Sequence, residues 1–331
     1  MRLFPYYGGS NPSTNNSSFV TRAMLPFPFD RQWALGTAAE LACLLEASAA
    51  KIGNVHPTAS FSDMHFAHFL ASGVASGAVF AQAASQSVGN LVLAGVRATR
   101  TQVGRNTNLG TLLLFAPLAK AYELRAAGSS DNPDTRLPTA EWRTDVQRVL
   151  EQLTPQDCAQ VYQAICEAQP NGLGTSHEHD VAGTPPDDLR VAMAVVADTD
   201  AVARQYINGF EDIFVRLVPW LYQELQCAGE ILEAICRVQL LWLAYQPDGL
   251  IVRKAGSQVA EQVQQQAQEI LQGGLQPGSP VSQQPGVQQL DQFLRADGHR
   301  RNPGTTADLI AAAVLVALLG NLQGSERALT L

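Results

Sequence analysis

Ala307-Asp-Leu-Ile-Ala-Ala-Ala-Val-Leu-Val-Ala-Leu-Leu319 is the longest apolar stretch of the chain. It falls short of the roughly 20 residues that a membrane-spanning helix needs, so it predicts a buried core helix. A helix buried in that way requires others packed around it, and the rest of the sequence supplies them. Apolar residues recur at three- and four-residue spacings over 37–50, 61–84, 86–103, 109–126 and 140–153. The same spacing continues over 155–167, 187–198, 201–227, 230–245, 257–271, 287–296 and 305–322. No run of alternating β-branched residues competes with it. The expected fold is all-α: a single-domain multi-helix bundle with a buried central helix and a polar cleft formed by interhelical loops. Small residues crowd Ala71–Ala84, which lets helix backbones approach closely and places that helix at the centre.

The composition agrees. Of 331 residues, 46% are hydrophobic and 16% charged, a low charged fraction that suits helices packed on several sides. A formal net charge of -8 without a basic stripe argues against nucleic-acid binding, so an anionic ligand would need a local cationic cluster. The five cysteines lie at helical positions without a CxxC pair, as expected of reduced thiols in a cytosolic protein. Residues 1–30 lack the apolar core of a signal peptide and read as a flexible arm before one helical domain over 31–331. The expected location is cytoplasmic, away from any membrane, and a homo-oligomer stays open.

Helix starts share one pattern. Thr37-x-x-Glu40, Ser60-x-x-Asp63, Thr154-x-x-Asp157, Thr184-x-x-Asp187 and Thr305-x-x-Asp308 all match the capping box. Each aspartate therefore has a structural explanation as well as a functional one. Loss of Asp157 should remove a plain cap, whereas loss of Asp308 should remove activity.

Polar residues gather in four breaks between helices: Glu46–Pro57 with its continuation to His65, Arg105–Gly110, Asp248–Gly256 and Arg300–Asp308. The chain holds 19 arginines and only three lysines, and Lys51 and Lys254 each precede a glycine by two positions in such a break. An ammonium beside exposed backbone N–H groups makes a phosphate site. One helix cap needs one residue of the Asn106-Thr107-Asn108 run, leaving the others free for a ligand. His56, His65 and His68 surround Asp63, but they also accompany a buried face through Phe61, Phe66 and Phe69, so no transition metal is expected. The His177-Glu178-His179-Asp180 loop reads as solvated.

In this order the breaks resemble the triphosphoribosyl-dephospho-CoA synthase family over roughly Ala39–Leu319. Lys51-Ile52-Gly53-Asn54-Val55 is similar to its Lys-Pro-Gly-Leu-Val, and Ser62-Asp63-Met64 to its His-x-Asp-Met. Asn106-Thr107-Asn108-Leu109-Gly110 is similar to its Asn-Thr-His-x-Gly, and Pro303-Gly304-Thr305-Thr306-Ala307-Asp308-Leu309 to its Gly-Gly-Ser-Ala-Asp-Leu. Asp248–Gly256 matches only loosely. The resemblance implies transfer of the 5-triphosphoribosyl group of ATP to the 2′-hydroxyl of 3′-dephospho-CoA, with Mg²⁺ accompanying ATP. Asp63 or Asp308 would then serve Mg²⁺ or act as the base. Gly53, Asn54, Asn106, Thr107, Asn108, Gly110, Gly304 and Thr305 would surround the nucleotide, with Lys51, Arg105, Lys254 and Arg301 meeting phosphate charge. Departures at Ile52, Asn108 and Leu109 mark a divergent member, of the kind also associated with tetrahydromethanopterin-based one-carbon metabolism, whose acceptor could be another nucleotide or cofactor precursor. A non-catalytic helical scaffold with well-capped turns is the remaining alternative.

Overall fold

The computed structural model describes residues 28–29, 31–128, 137–169, 185–276 and 278–321. Among these lie fourteen α-helices. They are α1 (Leu35–Ser48), α2 (Phe66–Phe80), α3 (Val88–Val103), α4 (Leu109–Gly128), α5 (Thr139–Glu151), α6 (Pro155–Ala168) and α7 (Leu189–Val196). The chain continues through α8 (Ala201–Asn208), α9 (Val218–Ala228), α10 (Ile231–Tyr245), α11 (Gly249–Ala255), α12 (Ser257–Gly273), α13 (Pro285–Arg295) and α14 (Gly304–Leu319). Extended pairing among the described residues is limited to Leu137–Pro138 alongside Gly320–Asn321 and a bridge between His56 and Ala59. The expected arm falls outside the described residues apart from Pro28 and Phe29, and Phe29 is buried in the core. The His177–Asp180 loop and Thr184 also fall outside.

Helix α14 is buried continuously from Leu309 to Leu319 and packs against α1, α4, α8, α9, α10 and α11. Each fully buried Leu, Ile or Val there contributes about 1.5–3 kcal/mol of transfer free energy. The small-residue helix α2, expected at the centre, instead keeps Val74 53% exposed. Its glycines serve a close approach to α1. A Cβ on Gly77 would stand 2.8 Å from Glu40 Cβ and 3.0 Å from the Gly36 carbonyl oxygen. No described helix is long and apolar enough to cross a membrane.

Two segments depart from the expected helices. Residues 201–227 do not form one helix: Gly209 and Phe210 adopt φ of 64° and 59°, and a π-helical turn follows over Asp212–Leu217 before α9 begins. Buried Asp212 collects Arg204, Gln205, Asn208 and Arg216, which satisfies its carboxylate inside the fold. The Asp248–Gly256 break is mostly helix α11.

Pro117 lies inside α4 and cannot donate to the carbonyl of Leu113 four residues earlier. The hydroxyl of buried Tyr206 on α8 donates to that carbonyl at 2.7 Å, so a tertiary bond replaces the missing helical one.

Of the expected capping boxes, Thr154 and Asp157 form one at the start of α6. Asp157 does more. It is 5% exposed, and its Oδ1 also accepts from the Gly89 N–H in the first turn of α3 at 2.8 Å. Burial works against the charged form, but hydrogen bonds from Ser87, Thr154 and Gly89 prevail and hold the carboxyl below its ordinary value. The expectation of a plain cap is therefore corrected: this carboxylate joins two helix ends. Asp157→Ala should cost roughly 2–4 kcal/mol in urea unfolding, from a lost cap plus a stranded buried N–H, without changing activity per folded molecule.

Candidate active site

A cleft of about 590 Å³ opens where the ends of α1, α3, α4, α11 and α14 meet the faces of α6, α7 and α8. Its wall carries Asn54, Asp63, Arg105, Asn106, Thr107, Asn108, Gly110, Lys254, Gly304, Thr305 and Asp308. Residues from all four sequence breaks thus reach one cavity. The opposite wall is apolar, with Tyr162 and Ile165 of α6, Met193 and Val196 of α7 and Val202 of α8.

Asp308 sits beyond the first turn of α14, where it does not cap its own helix. The N-cap position is Pro303, without a side-chain bond, and the Thr305-x-x-Asp308 box does not form. Instead the carboxylate reaches α4, accepting from Thr111 N at 2.9 Å and Thr111 Oγ1 at 2.6 Å. It stands at the positive end of that helix. Gly110 makes the approach feasible, since a Cβ there would lie 2.1 Å from Asp308 Oδ2. Burial raises the Asp308 pKa from 3.8 to about 7; the bonds from Thr111 oppose the rise, and the Glu46 charge adds to it. A carboxyl that changes charge near neutrality, on a cleft wall, is suited to proton transfer. Gly110→Ala should push the carboxylate out of place and reduce turnover by about 100-fold, measured beside the melting curve of the same sample.

Asp63 differs in every respect. It is 45% exposed, 3.6 Å from Arg105 Nη1 and 3.4 Å from His299 Nδ1. Arg105 also donates to its backbone carbonyl. The Ser60-x-x-Asp63 box is absent, because α2 starts at Phe66 and His65 occupies its N-cap position. Lys254 is half-buried on the same wall, and desolvation, then Arg253, lowers its pKa. No carboxylate lies within ion-pair distance of its ammonium among the described residues. Arg100 and Arg253 complete the cationic end, although Arg253 is paired to Asp200 at 3.0 Å.

The Asn-Thr-Asn run is largely consumed in holding the start of α4. Asn106 Oδ1 accepts from Leu109 N at 3.1 Å, which makes it the cap. Thr107 bonds Ser72 of α2, and Asn108 joins Ser76 of α2 to Thr99 of α3. Asn108 is 8% exposed, so the expectation that its amide is free for a ligand is corrected.

Lys51, Gly53 and Arg301 do not line the cleft. Lys51 is fully buried with its ammonium 2.9 Å from Glu46 Oε1, leaving it no exposed charge for a phosphate. Gly53 adopts φ 69°, and its N–H donates to Asp291. Asn54 bonds Gln239, Asn302 and Pro303, keeping one side toward the cleft. Arg301 stacks 4.3 Å from the centre of the Phe293 ring and donates to the Phe293 carbonyl. Arg100 and Ser72 are lining residues that sequence reading did not single out, and Glu46 and Arg253 lie in its polar breaks without an assigned role. Glu46 sits at the end of a regular helix, where no local pattern distinguishes it from a surface glutamate.

His65 and His68 pack as tilted rings, with His65 N donating to His68 Nδ1. Among the described residues no group of three or more His, Cys, Asp or Glu side chains is placed to hold a metal ion.

Residues 32–327 match the family described as CitG, ATP:dephospho-CoA triphosphoribosyl transferase. The chain belongs to that family. It is therefore a CitG-family transferase. The fold is similar to a crystal structure from Archaeoglobus fulgidus, provisionally named a triphosphoribosyl-dephospho-CoA synthase, with a TM-score of 0.56 and 22% identity. That alignment covers 76% of this chain and 98% of the archaeal one. No curated protein matches the chain significantly. In this CitG-family chain the motif that carries Asp308 lies on the cleft wall, and so does the Asn106–Gly110 motif packed against it.

Proposed function

We propose that the cleft transfers the 5-triphosphoribosyl group of ATP to the ribose 2′-hydroxyl of 3′-dephospho-CoA. The observation that carries this reading is the placement of Asp308, whose carboxyl is raised to about 7, in the same cavity as Lys254, an ammonium without an ion-pair partner among the described residues. In the reaction the ribose C1′–N9 bond of ATP breaks and adenine departs with the electron pair. The acceptor oxygen then bonds C1′, and its proton passes to Asp308. Proton removal from the acceptor requires a base of matched pKa, and Asp308 meets that requirement.

Lys254 and Arg105 gather the triphosphate, assisted by the first turn of α14, where Gly304 and Thr305 line the cleft and the helix end is positive. Mg²⁺ bound with ATP would offset triphosphate charge, and one or two carboxylates would suffice to hold it. Asp63, at the cationic end, fits that place by its hard oxygen donors and exposure, which leaves Asp308 for the proton. Apolar residues of α6–α8 receive the less polar portions of the reactants.

Asn108 supports a second reading, in which the acceptor is another nucleotide or cofactor precursor. Its amide is already engaged by Thr99 and Ser76 at the cleft wall, so the side chain standing where the family has histidine meets a substrate with only part of its hydrogen-bonding capacity.

Incubation with ATP, Mg²⁺ and dephospho-CoA, followed by chromatography of free adenine, tests the first reading. Acceptor-dependent adenine release without ADP supports it. Release only with other acceptors supports the second, and absence of ATP binding overturns both.

A further inference from the structure

Helix α2 is apolar on the side that faces water. It packs chiefly on α1 and α3, with Ser72, Gly73, Ser76, Gly77 and Phe80 buried. At 3.6 residues per turn, Ala67, Leu70, Ala71, Val74, Ala78 and Ala81 fall on the opposite side. Ala67, Val74, Ala78 and Ala81 are exposed, Val74 by 53%, and Leu70 and Ala71 are half-buried. No Asp, Glu, Lys or Arg occurs from Met64 to Val96. A helix that is apolar all round belongs in an interior. Helix α12 shows the usual alternative, turning Gln258, Glu261, Gln262, Gln265 and Glu269 to water.

Charge and shape both fit this face to a second copy of itself. Each chain carries a formal net charge of -8, so two copies repel unless they meet where charge is absent. A two-fold contact sets like surface against like, and a charged residue near its axis would face its own copy. The outer side of α2 meets that requirement. With two α2 helices antiparallel and the axis beside Val74, Val74 meets its own copy, Leu70 meets Ala78 of the partner subunit, and Ala67 meets Ala81 of the partner subunit. Large side chains thus face small ones, as close packing requires. Area favours the same alignment. The helix is about 22 Å long, and a steep crossing would cover only its middle. Antiparallel contact uses the whole length and adds Leu44 of α1, half-buried beside Gly73. That brings the contact toward the lower end of the roughly 1,200–2,000 Å² of stable interfaces.

We propose that the protein forms a two-fold dimer through the outer face of α2, its two copies antiparallel about Val74. The contact backs the cleft without entering it. On its inner side α2 bonds Thr107 through Ser72 and Asn108 through Ser76, so the partner braces the helix that holds the start of α4.

Sedimentation velocity of the full chain should give twice the 35.5 kDa of one copy. Val74→Arg sets two guanidinium groups together at the axis and should weaken dimerisation by more than about 100-fold, with the melting curve of the monomer unchanged because the site faces water. A second measurement is independent of that variant. Val74→Cys, with exposed Cys166 and Cys227 replaced by serine, should form an intermolecular disulfide on mild oxidation, since the axis brings the two thiols together. Leu124→Cys, exposed on α4 outside this face, should not. A monomeric wild type, a Val74→Arg protein that stays dimeric, or a Val74→Cys protein that does not cross-link overturns the proposal. Where the wild type is monomeric, maleimide labelling of Val74→Cys names what replaces the dimer: a shielded thiol means that another part of this chain covers α2, and a reactive one that the face is bare. None of these measurements needs ATP or turnover, so failure of the adenine assay leaves them standing.

Discussion

Asp308→Asn is expected to reduce adenine release by about 10³-fold while raising the melting temperature at pH 8. The two effects have one origin. Folding places this carboxyl where its charged form is disfavoured, lifting its pKa from 3.8 to about 7. A folded-state pKa above the unfolded value means that the group contributes stability fully below the unfolded pKa and loses it as pH rises through the folded pKa. Above about pH 7 the native protein therefore holds a carboxylate that the unfolded chain would accommodate better. Asparagine removes the charge and keeps an oxygen for the Thr111 N–H and hydroxyl, so the α4–α14 junction survives. Scanning calorimetry at pH 8 and pH 4 checks the sign: the variant should melt a few degrees higher at the first and close to wild type at the second. In wild type, kcat/KM should rise through about pH 7 and then level off, because only the ionised form accepts a proton. Loss of activity together with a lower melting temperature at pH 8 would make Asp308 a structural cap of α4 and remove it from the chemistry.

That pairing explains how much of the site could be read in advance. The helices were legible because apolar spacing is local, and the Thr154–Asp157 box because both partners lie in one turn. Asp308 stands out by its motif, yet its partner Thr111 is 197 positions away, and the capping box that its spacing from Thr305 predicts does not form. Lys51 shows the opposite failure. A scarce lysine before a glycine reads as a phosphate ligand, but here its ammonium turns inward to Glu46. Residues 201–227 kept helical spacing through Gly209 and Phe210, so neither the turn nor the π segment that seats Asp212 was visible. Such features depend on which helix end meets which, and no window of sequence contains that information.

Asp248→Ala should be the most destabilising substitution considered, by about 3–5 kcal/mol in urea unfolding. Asp248 is 2% exposed and begins the segment that reads as a polar break. Its Oδ1 accepts from Leu250 N at 2.9 Å and Ile251 N at 3.1 Å, capping α11. Its Oδ2 accepts from Thr306 N and Thr306 Oγ1, both at 2.7 Å, in the first turn of α14. One buried carboxylate thus holds the ends of both helices that present Lys254 and Asp308. Burial pushes its pKa up against those bonds, so the four donors offset a substantial desolvation cost. Alanine strands all of them where water does not reach. Asparagine is the sharper probe, because its amide nitrogen can accept from neither donor and must face one helix start or the other. Asp248→Asn should therefore lose roughly half of the alanine effect. If activity per folded molecule in Asp248→Asn falls along with stability, the α11–α14 junction sets the spacing of Lys254 and Asp308 as well as the strength of the fold. If stability falls alone, the cleft is held by the α4–α14 contact through Thr111. If neither falls, the shared cap contributes nothing and the account of this junction is wrong.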